Sequence, residues 1–232
     1  MKKWLSVDSK RVLTAFAFGL LGSALALSSV VVQSEDRLPF YNSEEFTPHW
    51  LEPYSEELWD FHSIPSFKFT DQNGDTITDR TFENKIYVAS FFFTTCPGIC
   101  PTIRSKLSRV QERFLGDEDV KILSHSIQPS VDTVDVLKAY ADRNDINSDI
   151  WHLVTGDQQE IYELAKEAYF SSDDLGKVQN VTDFLHTENL LLIDVNRNIR
   201  GIYNGLNNTS VGYLMDDIET LKAEMAELLV CH

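Results

Sequence analysis

Two cysteines carry the clearest chemistry in this sequence. Cys96 and Cys100 stand four residues apart in "FFFTTCPGICP" (residues 91–101), and a proline follows each of them. A thioredoxin-type redox pair normally has two residues between its cysteines, whereas this pair has three. Thiols at this spacing can close to a disulfide, or they can hold one soft metal ion.

The prolines suggest how the chain positions the two thiols. A helix that begins near Cys96 or Pro97 would place both cysteines on one face, with Cβ atoms about 5–6 Å apart. Pro97 suits the first helical position, and Pro101 would still lie near the first turn. Because backbone N–H groups at a helix start lower thiol pKa values, we expect accessible thiolates near neutral pH.

Three interpretations of the pair compete. The cysteines could form a structural disulfide or two inert buried thiols, or they could perform thiol–disulfide exchange. We favour the third interpretation, copper binding with redox chemistry of the pair serving it, because thiolates prefer soft Cu(I). A histidine would complete a three-coordinate site and would also suit Cu(II), whereas structural zinc would want a fourth protein ligand that we do not find.

The sequence offers six histidines as the third ligand: His49, His62, His125, His152, His186 and His232. His125 and His152 alternate with apolar residues in strand-like runs, which favours packed side chains. His49 lies in the segment before the main domain and His62 at the entrance of that domain, where solvated or capping roles are common. His186 ends a long loop just before a late strand, so its position makes it the preferred candidate.

The elements around the cysteines follow an α/β pattern. An uninterrupted apolar run before Cys96, residues 85–94, predicts a strand buried on both faces. The cysteines would then lie at the carboxyl end of a central strand, where sites of α/β proteins usually form. Around this strand the sequence predicts a hairpin at 66–82, helices at 103–115, 131–144 and 157–170, strands at 120–127 and 149–156, a hairpin at 189–205, and a last helix at 210–230 capped by Thr209 or Ser210.

The N-terminus predicts export of the domain. Residues 1–11 are basic, and residues 12–32 are 21 uncharged positions, about 30 Å of helix and long enough to span a bilayer. Basic residues on the first flank and acidic residues on the second predict a single-pass inner-membrane anchor with the C-terminal domain in the periplasm of a bacterium. A cleaved signal peptide, with "ALA" at 24–26, is the alternative. We assign residues 33–60 to a tether and residues 61–232 to the folded domain.

The charge of the chain excludes one large class of partner. The formal net charge is −16, and the first 32 residues are net positive, so the remainder is more acidic still. Such a surface repels phosphate backbones, so we predict no nucleic-acid binding.

Several of these segments together resemble the Sco/SenC family of copper-binding assembly proteins. The resemblance runs from about Leu38 to Leu228 and is carried by "FFFTTCPGICP", "VDTVDVLKAYADRN", "WHLVTGDQQEIYELA" and "FLHTENLLLIDVNRNIRGIY". It implies a thioredoxin-like fold with one copper bound by Cys96, Cys100 and His186. It also implies a role in building the dinuclear copper centre of cytochrome c oxidase, by delivering copper to oxidase subunit two or another recipient, by reducing the recipient's cysteines, or both.

The sequence departs from the family pattern near the site. Gln128 precedes Pro129 where the family usually has aspartate, and Leu185 precedes His186 where an aspartate is frequent. Asp132 and Asp183 are possible substitutes for these carboxylates. The terminal Cys231 and His232 are a solvated tail or, alternatively, an auxiliary metal-handling pair.

Two other classes of function remain open at this point. A thiol–disulfide reductase in the periplasm would need the cysteines without obligatory copper, and a peroxiredoxin-like enzyme would need one activated cysteine. A copper sensor or redox signalling protein is a third, weaker alternative. We therefore expect a metallochaperone, with thiol–disulfide oxidoreductase activity as a possible addition.

Overall fold

A seven-stranded mixed sheet forms the centre of the protein. The computed structural model describes residues 37–42, 45–52, 55–170 and 188–230. The strand order is β2-β1-β5-β4-β3-β6-β7, in which β3, β4 and β5 run parallel and the outer pairs are antiparallel. This arrangement confirms the predicted α/β class. The strands are β1 (Lys68–Asp71), β2 (Thr76–Thr78), β3 (Ile86–Phe92), β4 (Val120–Ser126), β5 (Trp151–Thr155), β6 (Asn189–Ile193) and β7 (Ile199–Asn204).

The apolar run before the cysteines forms the predicted central strand. All seven residues of β3 are buried, because β4 and β6 flank it and helices cover the sheet. Two hydroxyls belong to this strand. Ser90 lies 2.7 Å from the Ser124 hydroxyl, which also accepts a hydrogen bond from Trp151 Nε1, and the Tyr87 hydroxyl lies 3.2 Å from that of Tyr169. The side-chain hydroxyls of β3 are therefore paired, as most buried polar groups are.

In the described part of the chain, four α-helices pack on the sheet: α1 (Cys100–Phe114), α2 (Val134–Arg143), α3 (Gln158–Glu163) and α4 (Asn208–Val230). The α2 helix is capped by Thr133, whose hydroxyl accepts from Val136 N, and α3 is capped by Asp157. The predicted cap of the last helix is wrong. The Asn207 side chain accepts from Thr209 N and Ser210 N, because an Asn carbonyl reaches these free N–H groups from the preceding turn.

The third helix also differs from the single predicted helix over 157–170. After Glu163 the chain widens into a π-helical turn, Leu164–Ala168, in which Tyr169 N donates to Leu164 O. Ala168 O accepts from His62 Nε2 at 2.7 Å, so the last carbonyls of this segment bond to a side chain rather than to a continued α-helix.

Both predicted hairpins are present. Asn73-Gly74 forms the first turn, where Gly74 has φ +84° and the Asp71 carboxylate accepts from Asn73 N and Asp75 N. In the second turn Asp194 accepts in the same way from the N–H groups of Asn196 and Asn198.

A buried ion cluster holds the described start of the chain against the domain. Arg200, 4% exposed, lies between the carboxylates of Asp194 and Glu224, and it donates to the carbonyls of Leu38 and Pro39. Glu224 also accepts from Leu38 N at 2.8 Å, and the Arg200 guanidinium stacks 3.9 Å from the centre of the Phe40 ring. We call Arg200, Asp194 and Glu224 the arginine clamp. It fixes the early part of the predicted tether, Leu38 to Phe40, on β7 and α4.

The predicted anchor at 12–32 lies outside the described residues. Among the residues that are described, no helix is long and apolar enough to cross a membrane. The anchor and the boundaries at 11, 32 and 60 stay predictions.

Candidate metal centre

The two cysteines lie where β3 gives way to α1. Both are free thiols and both are buried, with Cys96 8% and Cys100 6% exposed. Cys100 is the first residue of α1, whereas Cys96 lies in the turn before the helix, with its backbone N–H bonded to Phe93 O. The expectation that the helix starts near Cys96 or Pro97 is therefore wrong.

Pro101 explains the later start of the helix. A helix beginning at Pro97 would need the backbone N–H of residue 101 for its first hydrogen bonds, and proline has none. Pro101 instead occupies the first turn of α1, where no partner for an N–H is required. The residues between the cysteines therefore form a short turn, in which the Cys96 thiol lies near the backbone N–H groups of Gly98, Ile99 and Cys100.

This geometry separates the pKa values of the two thiols. Burial raises the pKa of Cys96, but hydrogen bonds from the Cys100 thiol and from the backbone at Gly98, Ile99 and Cys100 outweigh burial and leave it below its ordinary value. Burial, together with the Cys96 thiol, raises the pKa of Cys100 to about 12. The expectation of lowered pKa values is thus right for Cys96 and wrong for Cys100.

The inner side of Cys100 is apolar. Aromatic and aliphatic side chains from β3, α1, α2 and β5 surround a small cavity there, among them Phe92, Ile103, Tyr140, Trp151 and Leu153. These side chains keep water from the sulfur, which is why burial dominates its pKa. A soft ligand atom in a dry pocket suits a soft cation better than a hard one.

A buried carboxylate holds the turn that precedes Cys96. Asp132 is fully buried, and it accepts hydrogen bonds from the Thr94 N–H, the Thr94 hydroxyl and the Ser126 hydroxyl. We call these three residues the Asp132 network. The sequence suggests Asp132 as a substitute carboxylate for the site. Its described side-chain contacts hold the loop at Thr94, two residues before Cys96, and none of them is made to a cysteine.

Gln128 contacts the same loop from the end of β4. Its side-chain oxygen lies 3.5 Å from the Thr95 hydroxyl, next to Cys96 in sequence. Its backbone N–H is bonded to the Ser126 hydroxyl, which ties Gln128 to the Asp132 network. Gln128 is therefore a neutral side chain that contacts the loop from this position. Sequence reasoning missed Thr94 and Ser126, because single hydroxyls in strand ends carry no distinctive pattern.

The four described histidines all have other surroundings. His125 is fully buried among the rings of Phe67, Phe69, Phe91 and Tyr169, as expected for a packed histidine. His152 Nδ1 lies 3.1 Å from Asp71 Oδ2, and His62 binds Ala168 O as a capping side chain. The ring of His49 packs edge-on against Phe61. Within the described residues, no three His, Cys, Asp or Glu side chains form a metal-binding group.

The remaining predicted site residues lie outside the described residues. These are His186 with Leu185 and Asp183, and the terminal Cys231 and His232. The structure thus brings together Cys96, Cys100, Gln128 and the Asp132 network. The third ligand stays a prediction.

Comparison with known proteins places the chain in a family. Residues 57–222 match the SCO1/SenC family, so the protein belongs to that family. The SCO1 protein homolog of Bacillus subtilis is 26% identical over 161 residues, which cover 68% of this chain and 82% of the relative.

Solved structures of Sco proteins share the fold of this chain. One is BsSco, described as a member of the Sco family of cytochrome c oxidase assembly proteins with a disulfide switch; it is 26% identical, with a TM-score of 0.59 over 69% of this chain and 93% of that chain. Another is ScoI of Bradyrhizobium japonicum with copper bound, 24% identical, with a TM-score of 0.55 over 68% of this chain and 99% of that chain. The fold is thus the thioredoxin-like fold of the Sco structures.

Proposed function

We propose that this protein is a copper metallochaperone that helps to assemble the dinuclear copper centre of cytochrome c oxidase. The observation that carries the proposal is the pair of free, buried thiols at the end of β3 in a Sco-family fold. Two sulfur donors beside an apolar pocket fit Cu(I), which is cargo here rather than a resident cofactor.

The proposed ligand set is Cys96, Cys100 and His186, with one copper per chain. Support for His186 comes from its position just before the segment 189–193 and from the Sco/SenC resemblance of "FLHTENLLLID". Each of the four described histidines also has a ring or a hydrogen-bond partner elsewhere. An imidazole added to two thiolates would allow the site to hold Cu(II) as well as Cu(I).

Copper binding and thiol redox chemistry would share the same two sulfurs. The lowered pKa of Cys96 suits it to attack a disulfide in a recipient protein, forming a mixed disulfide that Cys100 then resolves. That exchange reduces the recipient's disulfide to two thiols and leaves Cys96 and Cys100 as a disulfide. Because the disulfide offers no thiolate, the copper would leave at the same time.

The recipient is proposed to be subunit two of the oxidase or another protein with a copper site built from cysteines. The action would take place outside the cytoplasm, in the periplasm if the organism is bacterial, with residues 12–32 as the membrane anchor. The support is the uncharged length of that segment and the charges on its flanks.

Thiol–disulfide reduction without obligatory copper is the second candidate, and the unequal pKa values of the two thiols favour it specifically. The two candidates differ in what passes to the recipient. The test is to mix the copper-loaded, reduced chain with the soluble copper-centre domain of an oxidase subunit two, once with its cysteines reduced and once with them as a disulfide.

Copper bound to the re-isolated recipient with reduced cysteines, measured by metal analysis, supports delivery. Reduction of the recipient's disulfide with no copper transferred in either mixture would contradict the chaperone proposal and support the reductase.

A further inference from the structure

A groove of about 710 Å³ opens on the face of the sheet that carries α3, away from the cysteines. It lies between α3 with its π-helical turn and the chain that leads into β1. Its floor is apolar and contains Phe67, Phe69 and Leu164, all buried. Its rim carries Glu160, Glu163 and Glu167. We call this feature the acidic groove.

The rim carboxylates form one uncompensated stripe. Their spacing of three and four residues places them on the same side of the helical segment, and all three are exposed. Lys68 is the one cation that lines the groove, and within the described residues no ion pair involves any of the three glutamates. The groove therefore attracts positive charge.

The backbone of β1 is open toward the same groove. Asp71 N donates to Asp75 O, so the backbone N–H and C=O groups of Asp71 point toward β2. Because these groups alternate in direction along an antiparallel strand, those of Phe69 also point toward β2 and those of Lys68 point away from it. On that other side Thr70 lies opposite Thr155, where β5 ends. Among the described strands, none lies opposite Lys68 on this side, so its N–H and C=O face the groove as a short free edge.

We propose that the acidic groove binds an extended, basic segment of a partner protein, which adds a short strand beside Lys68. Its basic side chains would meet the glutamate rim, and its apolar side chains would cover Phe67 and Phe69. Strand addition at an exposed sheet edge is a common mode of peptide recognition, in which backbone hydrogen bonds give affinity and side-chain pockets give specificity.

The charges around the groove favour this occupant over two others. A nucleic acid or an anionic membrane would be repelled by the rim. The chain's own residues 171–187 contain three aspartates against one lysine, so they do not complement the glutamates. The proposal is independent of copper binding and adds a partner surface to the proposed chaperone.

The test measures binding of a capped eight-residue peptide of alternating lysine and valine to the full chain, with an alternating glutamate and valine peptide as the charge control. The variant is the triple substitution E160Q/E163Q/E167Q, which removes the rim charges and keeps the side-chain shapes. Its matched control, E112Q/E118Q/D216N, removes three exposed charges elsewhere.

We expect the basic peptide to bind the wild type and the control triple alike and to bind the rim triple about tenfold more weakly, because each exposed pair contributes a fraction of a kcal/mol. Lys68→Pro removes the groove-facing N–H together with the positive charge, at a residue already in an extended strand. Loss of binding there, despite the removed repulsion, supports strand addition, and unchanged binding excludes it. Equal binding of the basic peptide to both triples, equal binding of the acidic peptide, or no binding to the wild type would each overturn the proposal.

Discussion

Buried carboxylates occur at both ends of the central strand β3, and the two ends satisfy them differently. Near the start of β3 the arginine clamp pairs Asp194 and Glu224 with Arg200. Near its end Asp132 is bonded to hydroxyls and a backbone N–H, and within the described chain it forms no ion pair with Lys or Arg. The clamp sets one cation against its two carboxylates, whereas neutral hydroxyl and N–H donors hold Asp132 beside the proposed metal site.

The comparison indicates that the two groups of carboxylates have different roles. The clamp joins the start of the described chain to β7 and α4, so its main effect should be on stability. The Asp132 network orients the loop of Cys96, so its effect should extend to metal retention. Substitutions in each group should separate an effect on stability from an effect on the metal site, and they are ordered from the largest expected effect to the smallest.

Arg200→Met should cause the largest loss of stability. It leaves two buried carboxylates without their cation, which typically costs about 3–5 kcal/mol of the free energy of unfolding. Urea unfolding measures the loss, and Arg197→Gln is the matched control, because its ion pair with Asp79 is partly exposed and should contribute less than about 1 kcal/mol. Equal losses of unfolding free energy in the two variants would contradict a stabilising role for the arginine clamp.

Acid should destabilise the protein through His125. Burial without a hydrogen-bond partner for either ring nitrogen lowers its pKa to about 3, below the value near 6.5 of an unfolded histidine. The unfolded state therefore binds the proton first, and the stability present above pH 6.5 is lost as the pH falls toward 3. This group should account for about 2.5 kcal/mol between pH 7 and pH 4.5.

The comparison variant for this prediction is His125→Phe, which keeps a ring against Phe91. Unfolding free energies at several pH values should show a shallower acid limb in the variant. An unchanged acid limb would mean that His125 is not the group responsible.

Asp132→Asn should affect both stability and the site. The NH₂ group of the new asparagine then faces one of the Thr94 or Ser126 donors and cannot accept its hydrogen bond. An unsatisfied buried donor of this kind costs about 1–3 kcal/mol of the free energy of unfolding. Because the loop before Cys96 loses its anchor, copper retention against a chelator should fall as well. Asp135→Asn, an exposed change three residues away, is the control. If Asp132→Asn destabilises the fold but retains copper as the wild type does, the network has only a structural role.

The smallest expected effect is a difference between the two thiols. Because the pKa of Cys96 is lowered and that of Cys100 is raised, iodoacetamide at pH 7.5 should modify Cys96 at least about tenfold faster. Mass spectrometry of the digested protein at successive times gives both rates. Faster modification of Cys100 would contradict the geometry of the turn.

Sequence patterns predicted the elements better than their connections. The apolar run of β3 and the Asn73-Gly74 turn have local causes, so both were predictable. The clamp was not, because nothing local connects Arg200 with Glu224, 24 residues away, or with the carbonyl of Leu38. The start of α1 was missed because Pro97 and Pro101 each fit an early helical position, and only the requirement for an N–H at residue 101 decides between them.

At the site, the sequence predicted the cysteines from type and spacing, and it predicted the packed His125 from alternation in β4. It also singled out Asp132 but gave no sign of its partners, because Thr94, Ser126 and Asp132 converge from three segments. His186 lies outside the described residues, so its role as a copper ligand needs an experiment.

That experiment is the copper content of the reduced full chain, measured after removal of loosely bound metal, for the wild type, His186→Ala and the control His49→Ala. The account predicts one copper per chain in the wild type and the control, and loss or marked weakening in His186→Ala. Equal copper in all three proteins would exclude His186 as a ligand. No copper in the wild type would contradict the chaperone proposal itself and leave Cys96 and Cys100 as a redox pair.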